Sequence, residues 1–213
     1  MKKVYFISGL GADQRIFSFL DLSFCEPVFI DWISPLKNES LKNYALRLRK
    51  QIPEKNPTIV GISFGGMLTV EMAKENPAIN AIILSSNKTT KEFPFYFRAG
   101  RYIPVYKWGS ASVSKKMTLR FSSILGGRDA KEKSLLRQII MDSDVSFVRW
   151  AISAILNWEN RIIPGNLIHI HGSADKLLPL KYVKSAHIIE GGTHVMTLDK
   201  HAEISRLLKA LIQ

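Results

Sequence analysis

The stretch TIVGISFGG, residues 58–66, is the part of the sequence that decides the fold. Its apolar, β-branched beginning leads into a Gly-x-Ser-x-Gly pentapeptide, residues 61–65, and a helix-like pattern follows. The pentapeptide suits a sharp turn from a buried strand into a helix, because glycine on either side of the serine lets backbone and helix pack closely. Such a turn points the serine hydroxyl out of the sheet edge. The stretch therefore predicts a strand, a turn and a helix, with Ser63 as a candidate nucleophile.

Similar apolar runs recur along the chain, and each ends in small residues before a helix-like pattern. Short, continuously apolar runs are typical of parallel strands that are covered on both faces. The intervening segments show apolar residues at i, i+3 and i+4, as in the segment that begins after Ser40, a candidate N-cap. The sequence thus predicts an α/β fold with a doubly wound, mainly parallel sheet of about six strands. The predicted strands are residues 4–8, 27–32, 58–63, 79–86, 166–171 and 183–190.

A long interval, residues 87–165, separates the fourth and fifth predicted strands. Such a length is rare for a loop without secondary structure in a compact domain, so we expect helices at residues 110–125, 130–141 and 144–158. About half of the chain's aromatic residues fall in this interval. The sequence predicts a core of residues 1–86 and 166–213, with residues 87–165 inserted as a helical lid over a ligand cavity. The alternative is that these aromatic side chains form a small core of the insertion itself.

Composition excludes several other classes of protein. The chain has 213 residues, 46% of them hydrophobic, which is enough for one sizeable core. Its one cysteine, Cys25, cannot form an internal disulfide or a cysteine-based zinc site, so we expect a cytoplasmic protein. No run approaches the roughly 18 apolar residues of a membrane-spanning helix. Residues 2–12 faintly resemble a short signal peptide, but we interpret them as the first buried strand.

The charge is strongly basic, with 30 Lys and Arg against 18 Asp and Glu and a formal net charge of +12. No run of five or six basic residues, zinc-finger spacing or RNA-binding motif accompanies it, so nucleic acid is not an expected partner. More than half of the surplus lies in residues 88–160. This charge either forms a solvated face of the lid or attracts an anionic substrate, and the sequence leaves both interpretations open.

A serine hydroxyl is a weak nucleophile until a base accepts its proton, so a histidine must reach Ser63. His194 directly follows the sixth predicted strand, at the carboxyl edge of the sheet where every strand-to-helix turn emerges. We therefore take His194 as the candidate base. In the fifth predicted strand we expect one histidine to be buried and the other to mark the following loop. The histidines expected to be structural are His169, His171, His187 and His201.

The imidazole in turn needs a carboxylate that holds its tautomer and stabilises its charge. Asp175 follows the fifth predicted strand by a few residues and so lies at the same sheet edge. The loop after the fourth strand, residues 85–87, contains no carboxylate. We expect Asp199 to face solvent or to cap the last helix. Asp31 lies at the end of the second predicted strand, on the other side of the nucleophile strand, and is the less favoured alternative to Asp175.

The chain order Ser63, Asp175, His194, each after a successive strand, resembles that of the α/β-hydrolase superfamily. The resemblance covers nearly the whole chain, including residues 7–11 and the turn that ends at His194. Common members carry two further strands before the one that begins here at Val4, so this sequence resembles a minimal version with a trimmed sheet edge. That difference leaves the three candidate residues on retained strands.

The resemblance also implies an oxyanion hole. In the superfamily, the loop after the first strand usually begins His-Gly and supplies one backbone N–H; here Ser8 replaces the histidine and Gly9 is retained. The implied donors are the N–H groups of Leu10 and Phe64. Members that open epoxides or haloalkanes use an aspartate at the elbow, so Ser63 argues for acyl transfer instead.

The resemblance implies a carboxylic-ester hydrolase that acts through an acyl-enzyme on a small to medium, largely apolar substrate. Thioesters, lactones and small amides remain open, because all pass through the same kind of tetrahedral intermediate. No metal or organic cofactor is implied, and the sequence does not indicate an oligomeric state. A second hypothesis, from a different class, is a ligand-binding, receptor-like protein that keeps the hydrolase fold but has negligible turnover.

Overall fold

The protein is built on a six-stranded parallel sheet in the order β2-β1-β3-β4-β5-β6. The computed structural model describes residues 1–100, 102, 119 and 122–213. Helices cover both faces of this sheet, so the predicted fold class, a doubly wound α/β sheet, is confirmed. The strands are β1 (Lys3–Ile7), β2 (Glu26–Phe29), β3 (Thr58–Ile62), β4 (Asn80–Leu84), β5 (Leu167–Gly172) and β6 (His187–Ile189).

The helices that begin after Ser40, Asp129 and Asp144 are capped by these side chains. Ser40 accepts a hydrogen bond from the Asn43 N–H at 3.2 Å, as its predicted role as N-cap requires. The helices are α1 (Leu41–Leu48), α2 (Phe64–Glu75), α3 (Phe95–Gly100), α4 (Ser122–Leu125), α5 (Ala130–Asp142), α6 (Val145–Leu156), α7 (Met196–Asp199) and α8 (His201–Ile212). Short 3₁₀ turns lie at Gln14–Phe17, Arg49–Gln51, Thr90–Glu92 and Leu180–Tyr182. Among the described residues, no helix is both long and apolar enough to cross a bilayer.

Alternating side chains of each strand supply two separate hydrophobic clusters. Tyr5 and Ile7 of β1 pack on the face covered by α1 and α2, whereas Val4 and Phe6 pack on the face covered by α8. Because successive side chains of a strand point to opposite faces, a strand buried on both faces must be apolar throughout. This explains why the strands were visible in the sequence as continuous apolar runs.

The edge strand β6 is shorter than the predicted run at residues 183–190. Only His187–Ile189 pair with β5. Ser185 has a backbone φ of 49°, in the left-handed region, which interrupts an extended conformation. The buried ammonium of Lys88 also takes the carbonyl oxygens of Lys184 and Ser185 as hydrogen-bond acceptors. A distant side chain therefore holds this segment out of the sheet.

The described helices of residues 87–165 pack directly against the sheet's own layers. Most of the predicted helix at residues 110–125 lies outside the described residues, whereas α5 and α6 match the other two predicted helices closely. Phe147 and Ala151 of α6 share the buried cluster of α1 and α2, and Leu136 of α5 belongs to the opposite cluster. Beyond α6, the indole N–H of Trp158 donates to the Glu71 carboxylate on α2 at 2.7 Å. The described helices of this interval are thus continuous with the main core.

Candidate active site

Ser63 occupies the turn between β3 and α2 in an unusual backbone conformation. Its φ of 52° and ψ of −115° lie outside the regions that non-glycine residues favour. The flanking glycines allow the close approach that this turn needs. A Cβ atom on Gly65 would overlap the carbonyl oxygens of Ile7 and Ser8 on the neighbouring β1 chain. The sharp turn holds the Ser63 side chain at the carboxyl edge of the sheet.

The structure brings Ser63, His194 and Asp175 together. His194 Nε2 lies 2.9 Å from Ser63 Oγ, and His194 Nδ1 lies 2.8 Å from Asp175 Oδ2. Because the carboxylate is an acceptor, Nδ1 carries the proton, and Nε2 is left to accept from the serine hydroxyl. His194 and Asp175 are buried, while Ser63 is partly exposed. This arrangement leaves the hydroxyl accessible and shields the imidazole and carboxylate behind it.

Asp175 is held by more than the imidazole. Its Oδ1 accepts hydrogen bonds from the N–H groups of Leu177 at 2.9 Å and Leu178 at 2.8 Å. Burial alone would raise the pKa of the Asp175 carboxyl, but the attraction of His194 and these hydrogen bonds outweigh it and lower the pKa below its usual value. The carboxylate is therefore ionised near neutral pH.

The loops that carry the carboxylate and the imidazole lie in direct contact. The Ala174 N–H donates to the Gly192 carbonyl at 2.9 Å, and a Cβ atom on Gly172 would overlap that same carbonyl. Glycine at position 172 thus permits the approach of the two loops. Their contact explains how residues 19 positions apart stay in hydrogen-bonding distance.

The loop after β1 lies against the turn at Ser63. A Cβ atom on Gly9 would sit 3.5 Å from the Cβ of Ser63. The Ala12 carbonyl fixes the loop, since it accepts from the Ser8 hydroxyl at 2.8 Å and from the Trp32 indole at 2.7 Å. In the part of the chain that the structure describes, no acceptor pairs with the N–H of Leu10 or Phe64. Among the described residues, both N–H groups are thus without a backbone acceptor, as the predicted oxyanion donors would have to be.

The remaining histidines differ in part from expectation. His169 and His171 are both buried within β5, so the prediction that one of them marks the loop is wrong. Residues i and i+2 of a strand share a face, so this periodicity indicated that both histidines would be buried together. His187 begins β6 and His201 begins α8, and both are exposed.

The other candidate carboxylates lie apart from Ser63. The expectation that Asp199 faces solvent or caps the last helix is wrong. Asp199 is half-buried and accepts a hydrogen bond from the Thr193 hydroxyl. Burial raises the pKa of the Asp199 carboxyl above its usual value. Asp31 is exposed after β2, which is separated from β3 by β1.

A cavity of about 330 Å³ lies beside the loop after β1. Trp32 and Phe147 form an aromatic wall, with their ring centroids 5.0 Å apart. The volume is near the lower end of the range for small-molecule sites, about 300–1,000 Å³. The sequence pattern did not indicate this cavity, since its walls come from three separate stretches of the chain, 11–13, 32–35 and 139–147. The lining residues are Gly11, Ala12, Asp13, Trp32, Ile33, Ser34, Pro35, Ile139, Asp142, Ser143, Asp144 and Phe147.

The insertion reaches each of the loops around Ser63. The Tyr96 hydroxyl donates to the Leu177 carbonyl in the loop of Asp175 at 2.7 Å. The Leu125 carbonyl accepts from the N–H of Val195, next to His194, at 3.2 Å. The turn between α5 and α6 lies against Gly11, because Ser143 and Val148 would contact a Cβ atom placed there.

Comparisons with known proteins extend the structural finding. No protein-family model matches the sequence, and no curated protein matches it. Solved structures do match. An esterase from Exiguobacterium antarcticum aligns with a TM-score of 0.75 at 12% identity, over 100% of this chain and 92% of the esterase. A carboxylesterase structure from the thaumarchaeon Nitrososphaera gargenis gives 0.73 at 15% identity, over 99% and 89%. A bromoperoxidase from Bacillus anthracis gives 0.68 at 14% identity, over 99% and 91%.

The sheet order, the position of the serine turn and these full-length matches together define the class of the protein: the chain has the α/β-hydrolase fold. At these identities the likeness extends to the fold, and one fold carries many chemistries. The activity must therefore be argued from the chain's own residues.

Proposed function

We propose that the protein is a serine hydrolase that cleaves a carboxylic ester, with Ser63 as nucleophile, His194 as general base and Asp175 as the orienting acid. The single observation that carries this proposal is the hydrogen-bonded chain from Ser63 Oγ through His194 to Asp175, with distances of 2.9 and 2.8 Å. A serine on a strained turn, an imidazole in reach and an ionised carboxylate behind it are the groups that acyl transfer requires.

The oxyanion of the tetrahedral intermediate would be bound by the N–H groups of Leu10 and Phe64. Phe64 is the first residue of α2, so its N–H also lies at the positive end of the helix dipole. The loop of Leu10 is fixed through Ser8 and Trp32, and donors that are held in place before the reaction stabilise developing charge most effectively. The serine that replaces the family's usual histidine at position 8 therefore supports this loop.

The reaction runs in two halves. The Ser63 oxygen attacks the acyl carbonyl while His194 Nε2 accepts the hydroxyl proton. The imidazolium then gives this proton to the leaving alcohol as the tetrahedral intermediate collapses to an acyl-enzyme. Water, deprotonated by the same His194, attacks the acyl-enzyme, and the acid leaves as the proton returns to Ser63. Every step uses side chains and backbone of this chain, and no cofactor is invoked.

The substrate that these surroundings favour is small and largely apolar. The cavity beside the loop after β1 has one aromatic wall, against which a small apolar group of the ester would pack, while the three carboxylates among its lining residues would disfavour an anionic group there. We assign residues 87–165 the role of a lid, because they contact the loops of Asp175 and His194 as well as the loop after β1. Thioesters, lactones and small amides belong to the same proposal. A cytoplasmic location is proposed with it, supported by the free, buried thiol of Cys25.

Hydrolysis of a short-chain aryl ester tests the proposal. We expect Ser63→Ala to lose essentially all turnover, while Ser18→Ala, at an exposed serine outside the site, keeps the parent's rate. Thermal-shift measurements with the same panel of esters accompany the assay. Equal turnover by Ser63→Ala contradicts the proposal, and so does binding without turnover across the panel, which supports a receptor-like protein instead.

A further inference from the structure

Two histidines that the proposed reaction does not use lie directly behind the orienting acid. His169 and His171 are 2% and 0% exposed and project from the same face of β5. His169 Nε2 lies 3.2 Å from His171 Nδ1, and His171 Nε2 lies 2.7 Å from the Leu178 carbonyl oxygen. Buried polar groups are costly unless they are hydrogen-bonded, so this chain of contacts is a specific arrangement.

The hydrogen-bond partners determine the tautomer of His171. The Leu178 carbonyl can only accept, so His171 Nε2 must carry a proton. Burial lowers the pKa of His171 and lowers that of His169 well below its usual range, so both rings are neutral near pH 7. His171 Nδ1 is then an acceptor, and His169 must donate to it through Nε2–H. By donating to His171 Nδ1, His169 excludes the tautomer of His171 that carries its proton on Nδ1.

Leu178 connects this pair to the acid. Its N–H donates to Asp175 Oδ1 at 2.8 Å, while its carbonyl accepts from His171. His171 Nε2 also lies 3.6 Å from Asp175 Oδ2, the oxygen that binds His194. The carboxylate is thus bounded by an imidazole on each side. One imidazole faces Ser63 and the other is buried in the sheet.

We propose that His171 is a positioning residue for Asp175, acting through Leu178, and that His169 holds His171 in the tautomer that this role requires. The inference rests on the proposed function, in which Asp175 orients His194. The charged and titratable groups around the pair are Asp175, His194, Glu92 and Lys88. An ordinary pair of core histidines would support packing but would not affect the bond between His194 and the carboxylate.

Substitutions at position 171 distinguish a histidine that positions Asp175 from one that only packs in the core. His171→Leu removes the donor to Leu178, and we expect kcat to fall about tenfold to a hundredfold with KM unchanged. His171→Gln keeps an Nε2–H donor and should recover most of kcat. His187→Leu, at an exposed histidine, is the matched control and should leave kcat unchanged. Equal kcat for folded His171→Leu and the parent overturns the proposal.

Nitrogen-15 NMR of histidine-labelled protein provides a test that does not depend on turnover, and its first readout needs only the parent protein. We expect His171 in the parent protein to be neutral and protonated at Nε2, and the low-field Nδ1 proton of His194 to weaken or shift in His171→Leu. Protonation of neutral His171 at Nδ1, or an unchanged His194 proton signal in folded His171→Leu, overturns the proposal. A parent protein that hydrolyses no ester contradicts the proposed function instead, and leaves the NMR result decisive for the positioning of Asp175.

Discussion

The backbone of Ser63 is held in a conformation that serine does not favour, and its neighbours supply the restraint. The Ser63 N–H donates to the Leu84 carbonyl at 2.9 Å, and the Ser63 carbonyl accepts from the Ser86 hydroxyl at 2.7 Å. Backbone strain of this kind costs about 1–3 kcal/mol and persists only where the surrounding structure enforces it. Leu84 ends β4 and Ser86 follows it, so the strand beside β3 fixes the position of Ser63.

The three candidate site residues could be chosen from the sequence because each follows a predicted parallel strand. Ser63, Asp175 and His194 end at one sheet edge by topology alone. The contact of His171 with Leu178 could not be chosen, because it depends on the fold of a short loop and not on the strand pattern. The burial of both His169 and His171 was accessible from the period of two along a strand.

Substituting Asp175 by asparagine should change how stability depends on pH. The pKa of the Asp175 carboxyl is lowered from 3.8, so its ionised form stabilises the folded state. This contribution is fully present above the unfolded value and is lost as the pH falls through the lowered pKa. We expect the free energy of unfolding in urea to be higher for the parent than for Asp175→Asn at pH 7, with the gap closing below about pH 4. A gap that is constant or widens in acid contradicts this assignment.

Among the elements, α2 approaches the end of β1 so closely that position 65 accepts only glycine. A methyl group at Gly65 would meet two backbone carbonyls of the β1 chain, which cannot rotate away. We expect Gly65→Ala to lower the free energy of unfolding by about 1–3 kcal/mol and to displace the loop of Leu10, so that esterase activity also falls. Gly165→Ala is the matched control, because nothing lies within 4 Å of its Cβ position. Chemical denaturation of both variants measures this, and equal stability of the two contradicts the packing described.

Helix α6 packs its Phe147 side chain among the aromatic rings of the main core. Phe147 is 5% exposed and contacts the rings of Trp32, Tyr44, Phe64 and Trp150. We expect Phe147→Ala to lower the free energy of unfolding by about 3–5 kcal/mol. Phe95→Ala, at a ring that is 68% exposed, should change it by no more than about 0.5 kcal/mol. An unfolding midpoint of Phe147→Ala that matches the parent would show that the insertion does not share the core.

Prediction of the elements succeeded where burial is complete and was less accurate at the edges. The central strands β1, β3 and β4 lie within one or two residues of their apolar runs, because packing on both faces demands such runs. β6 was overestimated because Lys88, some 96 positions earlier in the chain, captures the carbonyl of Lys184. Apolar periodicity carries no information about such a long-range polar contact.

For the whole molecule, the net charge of +12 is the property that the fold does not explain. The three carboxylates that line the cavity, Asp13, Asp142 and Asp144, oppose the overall sign, and Arg15 pairs with two of them. A positive protein still attracts anions at a distance, and salt screens this attraction. We expect kcat/KM for anionic esters to fall as ionic strength rises, while that for neutral esters stays constant. If kcat/KM depends on ionic strength in the same way for both kinds of ester, the charge serves solubility alone.

The proposed reaction requires an activated Ser63, and a fluorophosphonate probe reports this activation before any substrate is known. The probe reacts with a serine only when a base and an oxyanion site activate it. We predict that the native protein takes up one label, that peptide mapping places it on Ser63, and that Ser63→Ala takes up none. A native protein that remains unlabelled, or a label that persists in Ser63→Ala, would contradict the proposal that Ser63 is an activated nucleophile.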